Sequence, residues 1–142
     1  MVGRSYAATC SQLKQKRVPS GASAAEQVIL RAALLRMGDE GQRQSIGALA
    51  TSSDPQVRRL IVEQLDGDRR TLIGLLQDVV FAVRFASARR LAEIGDRMSI
   101  PVLREALERG GSEAVRAYTL LRRLGESAQL PTGFTSLAKI EP

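Results

Sequence analysis

A glycine followed by an acidic residue recurs four times in this 142-residue chain at a nearly constant interval. The four pairs lie 29, 28 and 30 residues apart, and they are Gly38-Asp39, Gly67-Asp68, Gly95-Asp96 and Gly125-Glu126. Glycine suits the left-handed backbone conformation that ends many helices, and aspartate is a favoured N-cap of the helix that follows. A fixed interval of this length is typical of stacked supersecondary units, each of which cannot bury its apolar side alone.

The segments between these turns carry apolar residues at helical spacing. The clearest one runs from Asp78 to Leu107, DVVFAVRFASARRLAEIGDRMSIPVLREAL, and has a helical pattern on each side of its central turn. Asp54-Pro55 adds an N-cap with proline at the first helical position. Further helices are predicted to begin at Ser23 and at Ser112. The pattern therefore predicts an all-α protein.

The composition agrees with a helical domain. Aromatic residues make up 4% of the chain and tryptophan is absent, so we expect an aliphatic core. Such a core suits close helix packing better than a β-sandwich, which favours aromatic and β-branched residues. We predict a basic, partly ordered lead-in at residues 1–22, a repeat domain at residues 23–131 and a C-terminal tail at residues 132–142.

Charge and reactive side chains limit the functions open to the chain. The net charge is +6, but +4 of it lies in the first 20 residues, and the rest carries 17 basic against 15 acidic residues. Histidine is absent and Cys10 is the single cysteine, which gives neither a disulfide nor a metal framework. No apolar run reaches the roughly 18 residues of a membrane span. We expect a cytoplasmic protein that is not an enzyme, with no catalytic residue, metal, cofactor or membrane contact.

Three Val-Arg pairs precede three of the turns. They are Val57-Arg58, Val83-Arg84 and Val115-Arg116, and each is followed three residues on by a predicted core position, Leu60, Ala86 and Tyr118. The segments DPQVRRLIVEQLDGD, VRFASARRLAEIGDRMSIPVLREAL and VRAYTLLRRLG resemble HEAT-like repeats, of the short bacterial kind also found in phycobiliprotein lyases. The resemblance covers Ser23 to Pro131 and implies a right-handed α-α superhelix of about four helix hairpins. It also implies that the Val-Arg helices line a concave, partner-binding face.

The resemblance gives the Val-Arg arginines a role in the fold. In such repeats this arginine pairs with an aspartate before its helix, and Asp54 and Asp78 are placed to serve Arg58 and Arg84. Arg116 has Glu113 as a weaker counterpart. An arginine in this position can also satisfy a loop carbonyl. We favour this structural role, while keeping the three arginines among the predicted partner-binding residues.

The positions two, five and six after each valine are predicted to be exposed on the partner-binding face. These positions are Arg59, Val62 and Glu63 in one helix and Phe85, Ala88 and Arg89 in the next. Phe85 with Arg59 and Arg89 has the chemistry of an interface anchor, because aromatic residues and arginine are enriched at binding hot spots. The alternative is that Phe85 packs against the next helix.

Function is predicted less sharply than fold. We predict a protein-binding scaffold or adaptor, with self-association through exposed ends as an added expectation. The alternative is nucleic-acid binding through the basic lead-in and the pairs Arg69-Arg70, Arg89-Arg90 and Arg122-Arg123. Nearby acids, Asp66, Asp68, Glu93 and Glu126, favour a salt-bridged surface instead. Handling of a chromophore is a weaker alternative that rests on the resemblance alone.

Overall fold

A computed structural model describes residues 17–65 and 68–132 of the chain, and this part is helical throughout with no strand. Its seven α-helices are α1 Ala24–Arg36, α2 Gln42–Leu49, α3 Pro55–Gln64, α4 Arg69–Leu75, α5 Phe81–Glu93, α6 Ile100–Arg109 and α7 Gly111–Arg123. A short 3-10 helix, Arg97–Ser99, precedes α6. The predicted all-α fold is confirmed.

The chain divides into two compact units, Met1–Thr71 and Leu72–Pro142, with the boundary inside α4. In the first unit α1 packs against α2 and α3. In the second unit α5 packs against α6 and α7, and α6 packs against α7. The predicted lead-in and tail fall mostly outside the described residues, so their boundaries stay predictions, as does the hand of the superhelix.

Three of the four predicted glycine turns have the geometry that the sequence predicts, and the fourth, at Gly67, lies outside the described residues. Gly38, Gly95 and Gly125 have φ angles of 95°, 79° and 79°, in the left-handed region that favours glycine. After each of them, the amide N–H of the acidic residue donates to the carbonyl oxygen five residues earlier, at 3.0, 2.9 and 2.9 Å. This hydrogen bond defines the Schellman motif, which satisfies a carbonyl that the helix end would otherwise leave free.

Of the predicted aspartate N-caps, Asp54 and Asp96 are confirmed, whereas Asp39 does not cap α2, whose N-cap is Gly41 without a side-chain hydrogen bond. Ser23 and Glu26 form a reciprocal capping box at the start of α1, with hydrogen bonds of 3.2 and 2.8 Å. The Asp54 carboxylate accepts a 2.8 Å hydrogen bond from the amide N–H of Gln56 at the start of α3. Asp96 caps the 3-10 helix in the same way, at 3.0 Å. Local capping therefore fixes where several of the helices begin.

The core is aliphatic, as predicted. The largest fully buried side chains are Leu34, Ile46, Ile61, Leu65, Leu72, Leu91, Leu103, Leu121, Val28, Val62, Val83 and Ser87. Ser87 is polar, and its hydroxyl donates a 2.5 Å hydrogen bond to the carbonyl oxygen of Leu72. That bond satisfies a buried group that would otherwise destabilise the fold.

Two residues that were predicted to be exposed are buried. Val62 in α3 and Ala88 in α5 are 1% and 0% exposed. The prediction was wrong because it allowed each helix a single apolar stripe. Each of these helices instead packs against two neighbours in its own unit, α1 and α2 for α3, and α6 and α7 for α5. The buried arc is wider than one stripe as a result.

The predicted core positions after the Val-Arg pairs are confirmed only in α5. Ala86 is buried, whereas Leu60 and Tyr118 are half-buried. In α3 and α7 the neighbouring residues Ile61 and Ala117 are fully buried in their place. In α3 and α5 the valine of the pair and the residue four positions after it are both buried, whereas in α7 both are exposed, so α7 alone differs in rotation.

Candidate functional site

Arg84 in α5 braces the segment that leads into its helix. Its guanidinium donates to the backbone carbonyl oxygens of Asp78 and Val79, at 2.8 and 3.3 Å. Its other terminal nitrogen forms a 2.6 Å ion pair with the carboxylate of Glu105 in α6. One side chain thus ties a loop and two helices together. The carboxylate in this described ion pair belongs to Glu105 of α6, whereas the predicted carboxylate partner was that of Asp78, whose backbone carbonyl accepts instead.

Arg58 in α3 makes the matching contact in the first unit. It is only 8% exposed, and its Nη1 donates a 2.7 Å hydrogen bond to the carbonyl oxygen of Ser52, six residues earlier. Arg84 also reaches back six residues, to Asp78. The Asp78 carboxylate accepts the amide N–H of Val80 at 2.9 Å, much as Asp54 serves α3. Both arginines therefore hold the fold by the same hydrogen bond to a linker carbonyl.

Arg116 in α7 is placed differently. It is exposed, and it forms no hydrogen bond or ion pair with another residue in the described part of the chain. Val115 beside it is 42% exposed, while Ala114 is fully buried. The third Val-Arg pair therefore does not occupy the environment of the other two.

The linker length explains this difference. Arg58 and Arg84 lie four residues after their N-caps, Asp54 and Val80, whereas Arg116 lies six residues after its N-cap, Gly110. Two extra residues rotate a side chain by about 200° around the helix axis. The linker between α6 and α7 is the single residue Gly110, whose φ of 78° permits the sharp turn. Relative to the start of its helix, Arg116 therefore lies on roughly the opposite side of α7 from the side of α5 on which Arg84 lies.

The predicted anchor Phe85 belongs to an aromatic stripe on α5. Phe81, Phe85 and Arg89 follow each other at four-residue intervals, which places them on one side of the helix. The rings of Phe81 and Phe85 stack with centroids 5.9 Å apart and planes 19° apart. Phe85 is half-buried rather than exposed, and its described ring contact is with its own helix. We call Phe81, Phe85 and Arg89 the α5 stripe.

Two arginines flank the first ring of the α5 stripe. The Cζ atoms of Arg109 and Arg84 lie 4.2 and 5.5 Å from the ring centroid of Phe81, within range of a cation–π interaction. Arg109 also forms a 3.2 Å ion pair with Glu105, which links this group back to Arg84. Sequence reasoning missed Phe81 and Arg109, although the spacing Phe81–Phe85 and Glu105–Arg109 was a usable signal.

Arg89 brings an unsatisfied donor to the α5 stripe. The residue is half-buried, and its Nε is buried without a hydrogen-bond partner among the described residues. Such a buried donor is costly unless something accepts from it. Arg59, the third member of the predicted anchor, lies in the first unit, where it is exposed and 3.6 Å from the Glu63 carboxylate.

The predicted arginine pairs do not share one environment. Arg90 lies 3.8 Å from the Glu93 carboxylate. Arg122 and Arg123 at the end of α7 are exposed and make no ion pair within the described residues. The acid predicted to neutralise them, Glu126, pairs with Arg97 and Arg104 instead.

Glu126 is clamped by two arginines of the second unit. Arg104 from α6 lies 2.6 Å from its carboxylate, and Arg97 donates to the other carboxylate oxygen and to the carbonyl of Leu124. The hydrogen bonds from Arg104 and then Arg97 hold the pKa of Glu126 below its ordinary value of 4.5. This clamp ties the turn after α7 to α6 and the 3-10 helix.

Metal and membrane features are limited in the described part of the chain. No group of three or more aspartate, glutamate, histidine or cysteine side chains there is placed to hold a metal ion. None of the described helices is both long enough and apolar enough to cross a membrane.

Short helices joined by tight turns, with the same arginine-to-linker bond in successive copies, define a helical repeat protein. The sequence profile of HEAT repeats matches residues 43–122, which is more than half of the chain. The chain belongs to the HEAT repeat family. Searches among curated proteins and among solved structures find no match. HEAT repeats generally mediate protein–protein interactions and are typically non-enzymatic.

Proposed function

We propose that this HEAT repeat protein is a non-enzymatic scaffold that binds a partner protein through the α5 stripe. The observation that carries the proposal is the unsatisfied Nε of Arg89, one helical turn from the half-buried ring of Phe85. The Nε atom is buried, so a partner's acceptor reaches it only when the Arg89 side chain moves outward on binding, and that contact would remove the cost of the unpaired donor. The neighbouring rings would take an apolar side chain of the same partner.

The α5 stripe is suited to this role because part of it is already held in place. The ring of Phe81 is held in place before any partner binds, because it stacks against Phe85 and lies beneath the guanidinium of Arg109. A fixed aromatic surface loses little side-chain entropy on binding. We therefore assign partner contact to Phe85 and Arg89, and structural support to Phe81.

The remaining predicted site residues are assigned by their environments. The guanidinium groups of Arg58 and Arg84 donate hydrogen bonds to linker carbonyls, so we assign these two arginines a structural role rather than a role in binding. Arg59 is exposed and stays a predicted contact in the first unit. Arg116 lies on the exposed side of α7, away from the α5 stripe residues in sequence, and is not assigned to this binding site.

Nucleic-acid binding is less well supported. Within the second unit, Arg84, Arg90, Arg97, Arg104 and Arg109 each pair with a glutamate. Cations that are neutralised in this way contribute little to phosphate binding, which depends on the release of counterions by unpaired cations. That leaves three exposed arginines in this unit without an ion pair among the described residues, Arg116, Arg122 and Arg123. Partner identity and a cytoplasmic location stay predictions.

Site-directed photocrosslinking tests the proposal. Benzoylphenylalanine replaces Phe85 in the full-length protein expressed in its source cells, and replaces the exposed Arg70 in a control. We expect a protein partner that crosslinks from position 85 and not from position 70. Equal crosslinking from the two positions, or none from position 85, would contradict partner binding through the α5 stripe.

The purified partner then gives a quantitative test. Phe85→Ala and Arg89→Gln are each expected to weaken its binding by about tenfold or more, which is the scale of an interface hot spot. Arg70→Gln, at an exposed arginine in α4, is the matched control and should change the Kd by less than about twofold. Thermal unfolding of each variant shows whether a loss of binding merely reflects a loss of fold.

A further inference from the structure

We infer that the exposed side of α7 is a second binding surface, and that its ligand is an acidic segment of a protein. The α7 surface consists of Val115, Arg116, Thr119, Arg122 and Arg123. The inference shares with the proposed function only the idea that the ligand is a protein. It concerns different residues, so each can fail while the other stands.

The five residues form one continuous side of the helix. Relative to Val115 they follow at one, four, seven and eight residues, which is the spacing of a single helical face. All five are exposed. The opposite side of α7 is buried in the second unit, through Ala114, Ala117, Leu120 and Leu121. The α7 surface is thus open, while the helix that carries it is firmly packed.

The three arginines of this surface differ from the other arginines on the helices of the second unit. Arg84, Arg90, Arg104 and Arg109 each face a glutamate within 4.0 Å, and Arg89 is half-buried. Arg116, Arg122 and Arg123 form no ion pair with any residue that the structure describes. Two arrangements leave them unpaired. The one-residue linker at Gly110 sets the rotation of Arg116, and the clamp by Arg97 and Arg104 occupies Glu126.

Charge complementarity selects an acidic ligand. Three guanidinium groups lie within two helical turns, about 10 Å along the axis between Arg116 and Arg123. Carboxylates at positions i, i+4 and i+7 of a partner helix have a similar spacing, and arginine binds carboxylates with two parallel hydrogen bonds. The acid within α7, Glu113, accepts a hydrogen bond from Ser112 at 3.0 Å and lies one turn before Arg116. It leaves the three guanidinium groups available.

A protein segment is favoured over a nucleic acid because the surface is small and partly apolar. Val115 is 42% exposed and, with the methyl group of Thr119, separates the arginines by an apolar strip. An amphipathic acidic segment can cover that strip with its own apolar side chains. Protein–duplex complexes typically neutralise more phosphates than three arginines can.

The test is fluorescence anisotropy on the full-length protein with a defined probe. The probe is a labelled synthetic helical peptide with glutamates at i, i+4 and i+7 and leucines between them. A matched peptide has glutamine in place of each glutamate. We expect the glutamate peptide to bind, the glutamine peptide to bind at least tenfold more weakly, and the difference to shrink as salt is added.

Charge-reversal variants locate the binding. The double variant Arg116→Glu/Arg123→Glu is expected to weaken binding of the glutamate peptide at least tenfold. Arg43→Glu/Arg70→Glu makes the same change in net charge at a half-buried and an exposed position of the first unit, and should change the affinity by less than about threefold. Phe85→Ala should leave this affinity unchanged, because the α5 stripe takes no part.

Several results would overturn the inference. Equal binding of the two peptides, or equal losses in the two double variants, would mean that no acidic segment is recognised at this surface. A duplex oligonucleotide that binds more tightly through Arg116 and Arg123 would assign the surface to nucleic acid. A dimer in sedimentation that the α7 variant dissociates would assign it to a second copy of the chain. Competition by a peptide of residues 133–142 would assign it to the chain itself.

Discussion

The arginines of the three Val-Arg pairs have different roles, which depend on how many residues separate each arginine from the start of its helix. Arg58 and Arg84, four residues after an N-cap, donate to a linker carbonyl. Arg116, six residues after its N-cap, is exposed without a described partner. The Val-Arg motif predicts the structural role for the first two. It fails for the third because the motif does not encode the one-residue linker before α7.

The clamp on Glu126 predicts a pH-dependent contribution to stability. Its pKa is lowered in the folded state by the hydrogen bonds from Arg104 and Arg97. A lowered carboxyl pKa stabilises the fold above the unfolded value, about 4.5, and this stabilisation is lost as the pH falls through the folded value. We expect Glu126→Gln to be less stable than the wild type at pH 7, and the difference to shrink below pH 4.5.

Urea unfolding at several pH values measures this effect. Glu113→Gln is the matched control, since Glu113 is an exposed acid on α7 that contacts only the hydroxyl of Ser112 among the described side chains. It should show little difference from the wild type at either pH. If the difference in unfolding free energy between Glu126→Gln and the wild type stayed constant from pH 7 to pH 3, the proposed stabilisation by the charged Glu126 carboxylate would be contradicted.

At the scale of single residues, part of the α5 stripe was predictable from the sequence and part was not. Phe85 and Arg89 were predicted from residue type and spacing. The stacking of Phe85 on Phe81 was not predicted, because Phe81 precedes the Val-Arg pair and the prediction considered only positions after the valine. Val62 and Ala88 were misplaced because helical periodicity gives the direction of the apolar side, whereas the number of packing neighbours sets its width.

At the scale of the elements, the glycine turns fix where helices end. Gly38, Gly95 and Gly125 share the left-handed conformation and the same hydrogen bond. These turns were predictable because a positive φ strongly favours glycine and the interval is regular. The rotation of the helices between the turns was not predictable from the interval alone. It depends on linker lengths, which vary from the single residue Gly110 to the five residues between α4 and α5.

The turn after α5 gives a prediction for stability. Gly95 has a φ of 79°, and an added Cβ would meet no atom within 4 Å. Backbone strain is therefore the main cost of Gly95→Ala, and we expect a loss of about 1 kcal/mol in the free energy of unfolding. Denaturant unfolding followed by circular dichroism measures it.

Gly74 in α4 provides the matched control. An added Cβ there also meets no atom within 4 Å, and its φ lies outside the left-handed region. Gly74→Ala should be neutral or should stabilise the protein by up to about 1 kcal/mol, because alanine favours the helical backbone. Equal destabilisation by the two alanines would show that the conformation of Gly95 is not what makes it necessary.

At the scale of the whole molecule, the chain is a HEAT repeat protein in which two arginines of one motif, Arg58 and Arg84, stabilise the fold, while the third, Arg116, has no partner among the described residues. The sequence predicted the family and the all-α fold, because period, turns and apolar spacing all point to them. The partner could not be predicted in the same way. Recognition depends on exposed side chains, which the repeat pattern leaves free to vary.

Hydrogen–deuterium exchange of the full-length protein, with and without the partner crosslinked from position 85, tests the central claim most directly. The account predicts slower exchange of amides in α5 on addition of the partner, with α2 of the first unit unchanged. Phe85→Ala should abolish that slowing while the free protein exchanges as before. Protection that leaves α5 unaffected, or that persists in Phe85→Ala, would contradict partner binding through the α5 stripe.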